Sequence, residues 1–188
     1  MAQLNFVEPV LLFIGVIFSK QDDFSKVREI LESKYGKIIL FSDNFLFEGT
    51  SYYEKEMGGG LLKNFFAFET LIKQSSLAEI KNFSNELETL FSDKGKRYLN
   101  IDPGYLNLSK VVLASCKDFA HRIYIGKHIF AEITLSYTKG AYMVLPWTYP
   151  DFKNPEYLEF FYKGRKLYTQ ALHCMRTENN EETNEFRG

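Results

Sequence analysis

Asp102-Pro103-Gly104-Tyr105 is the stretch on which the reading of the fold depends. Proline presets φ near −65° and glycine accepts positive φ, so Pro103-Gly104 specifies a type II turn with Asp102 at its first position. Two-residue hairpins favour the mirror-image turns, because type II splays the strands. The stretch is therefore expected to stop one strand and swing the chain out of the sheet. Two readings stay open for Asp102. It caps the turn through backbone N–H groups, or it stands at a strand end with its carboxylate in a cleft.

Upstream of the turn, Val10 to Phe18 is an apolar run rich in branched and aromatic residues, which reads as a buried strand. Ser19 to Asp23 offers a helix start. Phe24, Val27, Ile30 and Leu31 then recur at helical spacing, and Gly36 closes that helix as a C-cap. Lys37 to Phe41 reads as a second strand. Tyr52 to Met57 alternates in the manner of a strand and is broken by Gly58-Gly59-Gly60. Leu61 to Ile72 is the next strand. A helix starts at Ser75 or Ser76, with Leu77, Ile80, Phe83, Leu87, Leu90 and Phe91 as its apolar stripe and Gly95 at its end. Arg97 to Ile101 is the strand that runs into the turn.

This β-α-β, β-α-β order is compatible with two helices covering one face of an antiparallel sheet. Downstream the chain is β-rich, with strands at Val111 to Ser115, at two runs around Gly126, and at Ala141 to Leu145. Asn154-Pro155 supplies an N-cap and first helical residue for a helix reaching about His173. The expected fold class is α+β: a ferredoxin-like βαββαβ sandwich extended by a C-terminal antiparallel β-hairpin region and a terminal helix. Residues 1–176 form the domain, and 177–188 are an acidic tail expected to be disordered.

The runs His121 to Ile125 and Ile129 to Leu135 flank Gly126-Lys127-His128. A three-residue loop there pairs Tyr124 with Phe130, Ile123 with Ala131, and Arg122 with Glu132. A Gly126-Lys127 loop instead sets His121 opposite Glu132. The first register keeps one side nearly all apolar and is preferred. In either, Glu132 gains a cationic or titratable neighbour. Such a pair is worth a few tenths to about 1 kcal/mol as structure alone. Its functional alternative is a polar site. There Arg122 binds phosphate or carboxylate through its planar fork, Glu132 orients it, His121 or Asp102 does acid–base work, and Lys117 adds charge.

The chain has 188 residues, 45 % hydrophobic and 25 % charged, which fits one globular domain. Its 18 Phe and 12 Tyr are assigned mainly to core packing. A net charge of −1 gives no overall drive toward nucleic acid, and no DNA partner is expected. Cys116 and Cys174 lack CxxC spacing and read as reduced thiols. The longest apolar run is too short to span a bilayer, so a cytoplasmic location is expected, with no membrane partner.

Other candidates are weaker. Glu54 and Glu56 would share a strand face and could join Asp102 on a divalent cation, although solvated carboxylates are the simpler reading. The triple glycine is not followed by Gly-Lys-Ser/Thr, so it is no P-loop. The three histidines lack zinc-ligand spacing, and no Gly-x-Ser-x-Gly elbow is present. No metal site is therefore assigned. Pro146-Trp147-Thr148-Tyr149-Pro150 either covers a sheet edge or offers its rings to a base or a partner.

With Asp102-Pro103-Gly104-Tyr105 as hallmark, and His121-Arg122-Ile123-Tyr124 and Pro146-Trp147-Thr148-Tyr149-Pro150 in the same order behind it, the chain resembles domain of unknown function family 4416. The resemblance covers nearly everything except the acidic tail. Members are sometimes labelled GTP-binding, which implies a nucleotide partner. This sequence has no P-loop, no Asn-Lys-x-Asp motif and no Asp-x-x-Gly motif, so such a site would be of another type. The expected function is binding of, or action on, a phosphorylated small molecule or nucleotide such as GTP. Its candidate ligand-binding residues are Asp102, Tyr105, Lys117, His121, Arg122 and Glu132. The alternative is a non-catalytic module that engages protein or RNA through a sheet face or the Trp147 segment.

Overall fold

The computed structural model describes residues 7–47, 57–94 and 96–185, with side chains up to residue 177. Glu54, Glu56, Gly95 and all of the Tyr52–Met57 strand expectation except Met57 lie outside the described residues.

The elements in chain order are β1 (Val10–Phe18), α1 (Gln21–Tyr35), β2 (Ile38–Phe41), β3 (Phe45–Leu46), β4 (Leu62–Ile72), α2 (Leu77–Leu90), β5 (Ser92–Asp93) and β6 (Lys96–Arg97). They continue with β7 (Leu99–Leu106), β8 (Lys110–Ser115), β9 (Ile123–Gly126), β10 (Ile129–Thr138), β11 (Ala141–Val144) and α3 (Pro155–Glu185). The result is a mixed α+β fold around one large antiparallel sheet, in the order β11-β10-β8-β7-β1-β4-β2. Strand β3 adds to β4, β9 adds to β10, and β5-β6 is a separate ribbon.

Strand β1 is buried along its whole length. That is why it reads as continuous apolar sequence and not as an alternation. Its two faces meet different layers. Leu12, Ile14, Val16 and Phe18 pack against Phe24, Val27 and Leu31 of α1 and Ile80 and Leu87 of α2. Leu11 and Phe13 pack against Phe160, Phe161 and Tyr168 of α3. The aromatic excess is spent largely here. The Phe65 ring, fully buried, lies within 5.6 Å (centroid to centroid) of Phe152, Tyr157, Phe160 and Phe161. Aromatic pairs contribute about 0.5–1.5 kcal/mol beyond area burial. One ring of β4 therefore anchors both α3 and the segment before it.

The Asp102-Pro103-Gly104-Tyr105 stretch is not a turn. It is the middle of β7, an interior strand, with Asp102 opposite Gly15, Pro103 opposite Ile14, Gly104 opposite Phe13 and Tyr105 opposite Leu12 of β1. The physical reason lies on the other flank. Strand β8 pairs with β7 only over Gly104, Tyr105 and Leu106. The Ile101 N–H bonds to Glu88 and not to β1. Alternate residues of a strand point their backbone groups the same way, so Pro103 turns its donorless nitrogen to the flank where no strand waits. Gly104 serves close packing, not positive φ. A Cβ there would stand 2.4 Å from the Val112 carbonyl oxygen and 2.5 Å from Phe13 Cζ.

The hairpin keeps the preferred register, with Tyr124 opposite Phe130 and Ile123 opposite Ala131. Its turn is tighter than the three-residue expectation. Gly126 pairs with Ile129, Lys127 and His128 take φ of 53° and 62°, and the extra residue is absorbed as a bulge. Asn154 caps α3 as its sequence suggests, its Oδ1 accepting from the Glu156 N–H at 2.9 Å. The helix does not stop near His173. Its backbone runs on to Glu185, through the polar segment.

Candidate functional site

The site begins where β8 leaves β7. Past the Gly104–Leu113 pair, β8 stays with β10 as far as the Ser115–Phe130 pair, and a fork opens in the sheet. Two side chains of α2 reach into the fork and bond the backbone that β8 abandons. Lys81 Nζ donates to the Ile101 carbonyl at 2.7 Å, and Glu88 Oε1 accepts from the Ile101 N–H at 2.7 Å. An unpaired buried backbone group costs free energy comparable to a lost hydrogen bond, so these two groups stand in for a strand.

The register sets the floor of the site. Lys63, Ile17 and Asn100 form one row across β4, β1 and β7, and Phe65, Gly15 and Asp102 form the next. Gly104, Leu113 and Glu132 continue across β7, β8 and β10. Directly opposed residues share a face, so Lys63, Asn100, Asp102 and Glu132 all project toward the α3 side. The segment between β11 and α3 passes over them as a strap. Trp147 Nε1 donates to the Ile133 carbonyl at 2.8 Å and Thr148 Oγ1 to the Thr134 carbonyl at 2.5 Å. These carbonyls lie between the stretches of β10 that pair with β9 and β11, so the strap covers that edge. Lys63 Nζ holds its far end through Asp151 at 2.5 Å.

The cleft measures about 740 Å³. Among the described residues, Lys63, Lys81, Arg97, Lys117 and Arg122 line it together with Glu88, Asp102, Glu132 and Asp151. The Lys81 ammonium sits between Asp102 Oδ1 at 3.1 Å and Glu88 Oε1 at 3.8 Å. Burial would lower the Lys81 pKa, but the two carboxylates outweigh it and hold the group above the usual lysine range. Burial would raise Asp102, but Lys81, with Lys63 and Asn100, brings its carboxyl below the usual range. For Glu88 burial wins and its pKa is raised, with Lys81 and the Ile101 N–H only partly offsetting it. The Lys63 ammonium lies about 5 Å from the centroids of Phe65 and Phe152, close enough for cation–π attraction.

At the β10 end, Arg122 is 4 % exposed and Glu132 is 1 %. Arg122 donates to Glu132 Oε2 at 2.7 Å, Ser115 Oγ at 2.8 Å, the Lys117 carbonyl at 2.9 Å and Tyr149 Oη at 2.5 Å. Burial, helped by Glu132, pushes the Tyr149 hydroxyl up to about 12, so it is a neutral phenol at pH 7. Removing one partner of a buried pair costs about 3–5 kcal/mol. Four of five guanidinium donors are thus committed, joining β10, the end of β8 and the strap.

Of the residues singled out in the sequence, Asp102, Lys117, Arg122 and Glu132 meet in the cleft. His121 stands behind it, its Nε2 3.1 Å from Glu132 Oε2 and its ring stacked between Phe119 and Trp147. Tyr105 is elsewhere. Its ring packs with Leu77, Ala78 and Val112 on the opposite face, and its hydroxyl donates to Gln74 Oε1 at 3.3 Å. Sequence reasoning missed Lys63, Lys81, Glu88, Asn100 and Asp151. The one available signal was polar residues on otherwise apolar faces. Lys81 interrupts the α2 stripe, and Lys63-Asn64 opens an apolar strand.

Fold and site together define an α+β protein with a charged cleft in a forked sheet. The chain belongs to the Domain of unknown function (DUF4416) family, whose profile matches residues 8–168. Comparison with curated proteins and with solved structures found no match.

Proposed function

We propose that the protein binds a small phosphorylated molecule, with a nucleotide such as GTP among the candidates, in the cleft at the β7–β8 fork. The observation that carries this is the composition of the lining. Five cationic and four acidic side chains from the described residues meet in one cleft, an excess of one positive charge in a chain whose net charge is −1. The volume suits a small molecule, since such sites run to about 300–1,000 Å³. Lys63, whose side chain is 5 % exposed, is the anion handle proposed at the cleft floor. Its ammonium has three donors, and Asp151 takes one. Arg122 is better read as the clamp that shapes the cleft. The β1-α1-β2-β4-α2-β7 unit, with neighbours ordered β7-β1-β4-β2, supports reading the core as a ferredoxin-like sandwich extended by β8 to β11 and α3. No described helix is long and apolar enough to cross a membrane. A cytoplasmic location is consistent with two free thiols.

Calorimetric titration with nucleotides and sugar phosphates tests the reading. At least one should bind the wild type and lose roughly tenfold or more in affinity in Lys63→Met, as loss of a charge-assisted bond predicts. Absence of binding across the set would sink it. A second reading, an interaction module, draws on a different feature. Ile123, Tyr124, Ile133, Met143 and Val144 leave apolar side chains exposed on the outer strands. A macromolecular partner released by Ile123→Ser, with no phosphorylated ligand bound, would favour that reading.

A further inference from the structure

Donors and acceptors are unevenly used in the cleft. An arginine carries five N–H donors and a lysine three, while an ionised carboxylate accepts at about four lone-pair positions. Arg122 has four donor contacts. Lys81 directs its ammonium at the Ile101 carbonyl, Asp102 and Glu88. Glu88 and Glu132, 8 % and 1 % exposed, are engaged on both oxygens. The other two carboxylates are set apart by their exposure to the cleft. Asp102 accepts once on each oxygen, from Lys81 and Asn100, and is 33 % exposed. Asp151 accepts from Lys63 on Oδ2 and is 21 % exposed. Both lie within the electrostatic reach of Lys63, which bonds Asp151 and helps hold the Asp102 carboxyl in its ionised form.

Among the described residues, then, the cleft offers an anion handle at Lys63 with accessible, partly used acceptors on either side of it. A bare anion would use the first and be repelled by the second. A ligand with an anionic group and adjacent hydroxyl or amino donors uses both. We propose that Asp102 and Asp151 accept hydrogen bonds from such donors, so that the occupant is a phosphorylated polyol, either a sugar phosphate or a nucleoside phosphate. This rests on the reading of the cleft as a phosphate-binding site. It assigns Asp102 and Asp151 to specificity and leaves Lys63 to carry charge recognition. A site built to bond a substrate hydroxyl rejects the analogue that lacks it, because its own polar groups are left unpaired.

The test is calorimetry in EDTA, so that no metal bridge can substitute. The probes are inorganic phosphate, ribose 5-phosphate, glucose 6-phosphate and AMP. The proteins are wild type, Asp102→Asn and Asp151→Ala, with thermal unfolding to confirm that each is folded. Asp151 lies on the strap, so its variant keeps the test open where Asp102→Asn fails to fold. The expected result is that one of the three organic phosphates binds wild type roughly tenfold or more tighter than inorganic phosphate, in line with hydrogen bonds to charged groups. Asp151→Ala and Asp102→Asn should erase most of that preference while inorganic phosphate binds the same or tighter. Equal binding of all four probes, with both variants strengthening all of them, overturns the assignment and leaves the phosphate-site reading standing. Binding of none of these probes, with GTP added to the series, overturns both.

Discussion

The two flanks of β7 are built by opposite means. Against β1, all eight residues from Leu99 to Leu106 are paired, and the side chains of β1 are apolar. Against β8, three residues are paired, and Lys81 and Glu88 supply the bonds at Ile101. The first flank is held by a regular ladder and the hydrophobic effect. The second is held by two charges brought through the sheet from a helix, which is costly unless each is paired and hydrogen-bonded. The same strand thus has a rigid side and a side where the sheet gives way to a polar cavity. The cavity is possible because the fork is mended by side chains, which leave room beside them that a strand would fill.

The contrast breaks most forcefully at Lys81. Lys81→Met strands Asp102 and Glu88 and frees the Ile101 carbonyl, and should cost about 3–5 kcal/mol in urea unfolding. The Ile101 amide should lose hydrogen-exchange protection beyond the global change, while β1 amides follow the global change. A loss below about 1 kcal/mol would mean that the fork is held by something else. Gly104→Ala comes next, since it strikes both flanks. Its methyl meets the Val112 carbonyl of β8 and the Phe13 ring of β1. Overpacking costs about 1–3 kcal/mol, and backbone on one side places this case at the upper end.

The smallest effect sharpens the contrast by pH. The folded-state pKa of Asp102 lies below its unfolded value. Its contribution is therefore complete above the ordinary carboxylate pKa, about 3.9, and is lost as pH falls through the folded value. Urea midpoints taken from pH 5 down to pH 2.5 should show a steeper fall for wild type than for Asp102→Asn. Parallel curves would place the acid sensitivity outside the fork.

Much of this fold was legible where one interaction dominated. The apolar run of β1, the stripes of α1 and α2, the Asn154 cap and the hairpin register each follow from local pattern. Asp102-Pro103-Gly104-Tyr105 was misread because turn chemistry describes a residue's own backbone preferences. What decided the outcome was which neighbour was missing. Pro103, with no N–H to donate, needs a flank where no strand offers an acceptor, and Gly104 needs a close neighbour, and a fork in a sheet supplies both. The same blindness hid Lys81, Glu88 and Lys63. Their partners lie across the sheet or on the strap, so a polar residue that breaks an apolar face in α2 or β4 marks a place without naming what it meets. Tyr105 was drawn in by its neighbours in sequence, and strand alternation carried it to the other face.

The packing of α3 also bears on how the chain comes together. The α3-facing surface of β1 and β4, with Leu11, Phe13 and Phe65, is covered by residues synthesised long after it. Tyr168 closes the arrangement by donating to the Pro9 carbonyl across 159 positions, and Arg176 pairs with Glu8 across 168. Such long-range closure slows folding, because loop entropy is lost before the contacts that compensate for it. Until α3 arrives, a sheet face bearing Leu11, Phe13 and Phe65 stands bare, a form prone to self-association. The same aromatic concentration that steadies the finished protein makes its nascent form the stage most in need of protection.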